Sequence, residues 1–279
     1  MDPLDRFEFS QSSLQDFTDC RRRFQLRYLQ HVAWPAVQAE PIRENERHIQ
    51  RGNRFHRLTQ QYLLGVPESD LNRMAEADED ENLLRWWQNF LECIPAALEG
   101  ARFVEASLEA PLGRFRLVAK YDLVLLLPDG RAVIYDWKTA GRKPRRDRLQ
   151  QRLQTRVYPY LIVQAGAALN QGRPIHPEQV EMIYWFAEPG QTEERFSYDA
   201  ARYAEDQHYL ADLLAQISTL PAEDFHMAES DQSCPYCVYR SLCRRGGKAG
   251  DVAGLAEEDA EPAEAALEFD LEQIAEIGF

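Results

Sequence analysis

The chain lacks any run approaching the roughly 18 apolar residues of a membrane-spanning helix. Its longest apolar stretch, Tyr158 to Asn170, is broken by Gln164 and Gly166, so no transmembrane span is expected. The opening MDPLDRFEFS carries acids and no apolar segment, which argues against a secretory leader and for a cytoplasmic location. Cysteine is scarce, five in 279 residues. An odd count in a chain of this kind argues against a disulfide framework and for metal or catalytic use. No Gly-x-x-x-x-Gly-Lys-[Ser/Thr] loop occurs, which places any ATPase or helicase activity in a separate protein.

Basic residues are absent from 249–279, where ten acids stand with neither Lys nor Arg. The other 248 residues set 36 acids against 32 bases, so most of the net charge of −14 belongs to the tail. A second acidic run spans Glu68 to Glu81. Bases gather elsewhere: Arg21–Arg23 with Arg27, a run from Arg142 and Lys143 through Arg156, and Arg240 to Lys248. Local field, not net charge, steers a polyanion, so a polyanionic partner stays open. The division expected is a body over 1–248 and an acidic tail over 249–279. The chain reads as disordered from Gly246 through Glu264 and then as a short amphipathic helix carrying Leu267, Leu271, Ile274 and Ile277.

Within the body, helical spacing predicts helices over Ser10–Leu29 (capped by Ser12 or Ser13), Arg51–Leu64, about Asn82–Leu98, Arg146–Ala168 and Ala200–Ile217. Short β-branched and apolar segments predict strands at Phe103–Ala110, Phe115–Leu127, Ala132–Trp137 and Val180–Phe186, with turns at Leu112-Gly113-Arg114 and Pro128-Asp129-Gly130. The order reads as an α/β fold around one central sheet.

Asp122 ends one strand segment, and Asp136 and Lys138 end the next. Paired as a hairpin, these strands bring both carboxylates and the lysine to one sheet edge, with Asp136 and Lys138 on the same face. Two carboxylates suit a hard divalent cation, and an ammonium beside them can hold a water or stabilise charge. Taken alone, the pair is also a common solvated motif. Gly52-Asn53-Arg54-Phe55-His56 offers an imidazole, and Gln154 and Tyr158 share one helix face at i, i+4. Cys234-x-x-Cys237 with Cys243, and Cys20 far upstream, form a thiolate set that suits zinc or an iron–sulfur cluster; spacing leaves both open. Cys93 reads as a core residue of its helix.

These motifs, in this order, resemble the PD-(D/E)XK nuclease superfamily, in particular the RecB-like branch that includes Cas4 proteins and the nuclease domain of AddB. They run from Ser10-x-Ser12 through Phe17-x-x-Cys20-x-x-x-Phe24, Gly52 to His56, Ala119-Lys120-Tyr121-Asp122, Asp136-Trp137-Lys138-Thr139 and Gln154 to Tyr158, ending at Cys234, Cys237 and Cys243. Ala119-Lys120-Tyr121-Asp122 stands where many members have Gly-Arg-Ile-Asp, which keeps the acid and a basic neighbour.

The resemblance implies a restriction-endonuclease-like mixed sheet flanked by helices. The C-terminal cysteine segment would close an iron–sulfur site onto the N-terminal helices. It implies a metal-dependent exonuclease on single-stranded DNA ends, with Asp122, Asp136 and Lys138 catalytic. His56, Asp122, Asp136 and the Trp137 carbonyl would hold Mg²⁺ or Mn²⁺, and Cys20, Cys234, Cys237 and Cys243 a [4Fe–4S] cluster. Gln154 and Tyr158 would orient the lysine's surroundings and the DNA strand, with Arg142 and Lys143 also placed at the DNA. A protein partner such as a helicase or integrase is expected at the tail. The competing expectation is a non-catalytic DNA-end-binding scaffold of a repair or spacer-acquisition complex.

Overall fold

The computed structural model describes residues 4, 6–32, 40–94, 98–139, 141–191, 193–230, 234 and 237–245. The tail over 249–279 lies outside them, and with it the expected disorder and amphipathic helix. No helix among the described residues is long and apolar enough to cross a membrane.

Chain order is β1 (Glu8–Ser10), α1 (Gln11–Asp19), α2 (Arg21–Phe24) running into a π-helical turn at Gln25–Leu29, α3 (Glu40–Leu63), α4 (Glu68–Glu76) and α5 (Glu81–Cys93). Then follow β2 (Ala101–Leu112), β3 (Phe115–Leu126), β4 (Ala132–Lys138), α6 (Arg146–Gln151), α7 (Leu153–Ala165), β5 (Val180–Phe186), β6 (Glu194–Ser197) and α8 (Ala200–Thr219). The strands form one mixed sheet in the order β1-β3-β4-β5-β6, with β2 alongside β3. An α/β architecture is therefore what the chain adopts.

Several expected boundaries shift for local reasons. The cap of α1 is Ser10, not Ser12 or Ser13: its hydroxyl accepts from the Ser13 N–H while the Ser13 hydroxyl accepts from the Ser10 N–H, a reciprocal capping box. The expected helix Ser10–Leu29 is interrupted at Cys20, whose backbone is extended (φ −161°, ψ 106°). The expected helix Arg146–Ala168 is likewise broken at Arg152 (ψ 143°). The acidic run forms α4, with Glu68 and Asp70 in its first turn, where the helix dipole favours them.

The hairpin β2–β3 turns at Gly113, whose φ of +62° is costly for a residue with a Cβ. Helices cover both faces of the sheet. One core lies beneath α1, α7 and α8 and takes Ile134 and Tyr184; the other, beneath α3 and α5, takes Tyr135, Trp137 and Trp185. Alternation along the hairpin changes phase midway. On β3, Leu117, Ala119 and Tyr121 face the first core, but Leu123 and Leu125 face the second. On β2, Leu108, Ala110 and Leu112 face the first core, whereas Val104 packs against the second. The change falls at Glu105, which has a left-handed φ of +52°, and at Asp122, which the pairs Val104↔Leu123 and Ala106↔Tyr121 place across from it.

Candidate active site

That phase change coincides with an opening in the sheet. One edge of β3 is paired with β2 along its length. The other is shared: β1 takes Arg116–Val118 in parallel, and β4 takes Leu123–Leu126 antiparallel. No ladder pair on this edge covers 119–122 among the described residues. Beyond Tyr135, β4 in turn leaves β3 and pairs only with β5, setting Asp136 opposite Tyr184 and Lys138 opposite Phe186. The two strands thus splay, and the side chain of Asp122 bridges the gap: Oδ2 accepts from the Trp137 N–H at 2.8 Å.

His56 enters from α3 and sets Nδ1 3.2 Å from Asp122 Oδ1. One helical turn earlier on α3, a Cβ at Gly52 would stand 3.0 Å from Thr139 Oγ1, so the glycine lets the helix pack close against the residue that follows β4. Burial raises the Asp122 pKa. His56, the Trp137 N–H and Lys138 more than offset that and hold the carboxyl below the usual carboxylate range.

Lys138 Nζ lies 3.0 Å from Asp136 Oδ2, and both side chains are 6% exposed. Asp136 Oδ1 accepts from the Gln154 side-chain amide at 2.6 Å. The ammonium sits 5.6 Å from the centroid of the Tyr184 ring. The Tyr184 hydroxyl is 2.8 Å from Thr155 Oγ1 on α7, and burial pushes the phenol's pKa up. Strand period places Asp136 and Lys138 in the sequence, but Tyr184 and Thr155 need the β4–β5 register, which no local pattern carries.

Gln154 and Tyr158 are each 5% exposed. Gln154 reaches Asp136, whereas Tyr158 packs on Tyr121 with ring centroids 4.8 Å apart. Both side chains are thus as buried as Asp136 and Lys138 beside them. Trp137 sends its indole into the second core and offers the site only backbone. Arg142 is exposed; Lys143 Nζ lies 2.7 Å from Glu194 Oε1, and Arg146 pairs with the same carboxylate at 2.6 Å. Burial raises the Glu194 pKa, but these two cations pull it below the ordinary range.

The donors at the opening, two carboxylates and an imidazole, are chemically suited to a hard divalent cation. Among the described residues no three His, Cys, Asp or Glu side chains close on one point as an ion-holding group. His56 and Asp122 are joined to each other, and Asp136 is turned to Lys138 and Gln154.

A second constellation lies away from the opening. Cys20, Cys234, Cys237 and Cys243 line one cavity with Asp19 and Arg23. Cys20 occupies the break between α1 and α2, while Cys237 N–H donates to the Cys234 carbonyl at 3.1 Å. The thiols are free, and burial pushes those of Cys237 and Cys243 up. The segment from Ala222 onward docks on the first helices: Arg22 N–H donates to the His226 carbonyl at 3.1 Å, Gln25 to the Ala222 carbonyl at 2.7 Å, and the Tyr239 hydroxyl to the Val32 carbonyl at 3.2 Å. Thiols are the donors that zinc or an iron–sulfur cluster takes, but no three of these converge as an ion-holding group among the described residues. Cys93 is exposed on α5, not a core residue, because its helix buries the face of Leu83, Trp86, Trp87 and Phe90.

The family model of the PD-(D/E)XK nuclease superfamily matches residues 8–244. No curated protein matches the chain. Among solved structures, a protein from Eubacterium rectale described as a candidate exonuclease superposes with a TM-score of 0.52 at 11% identity, covering 89% of this chain and 94% of its own. Identity that low speaks to the fold alone. SSO0001 aligns at a TM-score of 0.34 and 13% identity over 73% of this chain and 93% of its own, too distant to bear on the site.

Proposed function

This chain belongs to the PD-(D/E)XK nuclease superfamily, and from that premise we propose that it is a metal-dependent deoxyribonuclease hydrolysing phosphodiester bonds at single-stranded DNA ends. The observation that carries the reading is the splay of β3 from β4, which gathers Asp122, Asp136 and Lys138 at one opening with His56 above them. An acid and a lysine serving only as a solvated pair have no need of the burial these two share, since desolvating both charges is costly.

Asp122, Asp136, His56 and the Trp137 carbonyl would hold Mg²⁺ or Mn²⁺. When bound, the cation neutralises phosphate charge and lowers the pKa of water. Lys138 donates a hydrogen bond to the attacking water and offsets the negative charge that develops as the P–O bond breaks. Gln154 fixes the Asp136 carboxylate through Oδ1, leaving its other oxygen to the lysine. Arg142, with Lys143 and Arg146 in exchange for Glu194, receives the DNA backbone. In the second constellation, Cys20, Cys234, Cys237 and Cys243 would hold a [4Fe–4S] cluster and so fasten the C-terminal segment to α1 and α2, as in the RecB-like branch that the motifs resemble.

Replacing Lys138 with alanine separates this reading from a DNA-end-binding scaffold. A nuclease loses cutting while retaining DNA binding. A parent protein that binds DNA ends and never cuts them, under any divalent metal, establishes the scaffold instead.

A further inference from the structure

Helix α7 carries Gln154 in its first turn, yet its N-cap residue, Arg152, makes no side-chain hydrogen bond to that turn. The start of the helix is buried, with Arg152 8% and Leu153 2% exposed, so the first N–H needs a protein partner. Gln15 supplies it from α1: its Oε1 accepts from the Leu153 N–H at 3.1 Å across 138 residues of sequence. The other end of the same carboxamide is also held, because Nε2 donates to Asp19 Oδ1 at 2.8 Å. Asp19 in turn binds Arg23 at 2.7 Å, and Asp19 and Arg23 both line the cysteine cavity.

The contacts form one line: the wall of the cysteine cavity, Asp19, Gln15, the first N–H of α7, then Gln154 and the Asp136 carboxylate. The geometry points to Gln15 as a positioning residue that couples the cysteine-lined cavity to the candidate active site by fixing the first turn of α7. A carboxamide fits this place because it accepts at one end and donates at the other; no shorter or singly functional side chain does both. A cap from a neighbouring helix fixes α7 in rotation as well as in place, and rotation of that turn is what aims Gln154.

The coupling rests on the nuclease reading only for its activity readout. The direct test is amide hydrogen exchange over 152–158 in the full chain, comparing the parent with Gln15→Leu, Gln15→Glu and Asp19→Ala. Losing the cap in Gln15→Leu should speed exchange there about fivefold, the worth of one capping interaction, with α8 unchanged as a control for global loosening. Asp19→Ala should speed the same amides by a smaller factor. Gln15→Glu, which keeps the acceptor but loses the donor and sets a second carboxylate against Asp19, should speed them at least as much as Asp19→Ala. In cleavage assays Gln15→Leu should lower kcat with KM unchanged, and should add nothing in a Gln154→Leu background, because both changes break one line of contacts. Parent-like exchange in Gln15→Leu or in Asp19→Ala, or losses of kcat that multiply in the double variant, overturns the coupling. A parent that cuts no DNA refutes the nuclease reading, while the exchange measurement still decides the role of Gln15.

Discussion

Asp136 and Lys138 are held in almost complete burial, and that placement sets what substitution does. Breaking a buried pair leaves an uncompensated charge and costs about 3–5 kcal/mol, whereas removing both charges at similar volume is near neutral. Lys138→Met should therefore lower unfolding stability by that amount, and Asp136→Asn combined with Lys138→Met should recover most of it without restoring cutting. Urea unfolding of the parent and both variants checks this. Glu105 makes a backbone case. At φ +52° a β-branched side chain is strained, so Glu105→Val should cost about 1–2 kcal/mol and reduce cutting by shifting Asp122 across the hairpin. Glu105→Gly should keep stability and cutting near parent values, since it loses only the exposed Lys120 pair. Thermal unfolding with a cleavage assay separates the two. Asp122, Asp136 and Lys138 were legible as residues because strand period and a turn place them. Gln15 was not: its partner is 138 residues away, and nothing local distinguishes a capping glutamine from a solvated one.

At the scale of elements, β6 governs the basic run that follows β4. Its Glu194 engages both Lys143 and Arg146, with a carboxyl held below its ordinary pKa. A depressed pKa means that the ion pairs contribute above the unfolded carboxylate range and are lost only as pH falls through the folded value. On the proposed reading, DNA would at neutral pH have to compete with Glu194 for both cations. Glu194→Gln should tighten binding of single-stranded DNA and steepen the slope of log K against log[salt] by up to about 1.4, the release expected for two further cations. Fluorescence anisotropy over a salt series measures it; an unchanged slope removes this face from the interface. The long hairpin, β5 and α8 were legible because their apolar periods are sustained. The three-residue β1 and four-residue β6 were not, because strands that short exist through their neighbours. The breaks at Cys20 and Arg152 escaped for a related reason: apolar spacing continues through both, while the backbone turns to serve tertiary contacts.

For the whole molecule, the segment after α8 returns to the first helices and closes the chain between Cys20 and Cys234. A cross-link over a loop this long removes about 5 kcal/mol of unfolded-state freedom in the chain-entropy model, so the proposed cluster acts as a staple. Cys237→Ser should lower bound iron and the melting temperature together, and should speed hydrogen exchange in 21–29 and 222–230 more than in β3 or β4. Uniform loosening, or no change on losing iron, contradicts the staple. The most direct test of the central claim is cleavage of end-labelled single-stranded DNA by anaerobically purified protein with Mg²⁺ or Mn²⁺, parent beside Asp136→Ala. The account predicts metal-dependent shortening of the strand by the parent and none by a folded, DNA-binding variant. Equal cutting by both, or none by the parent under either metal, contradicts it.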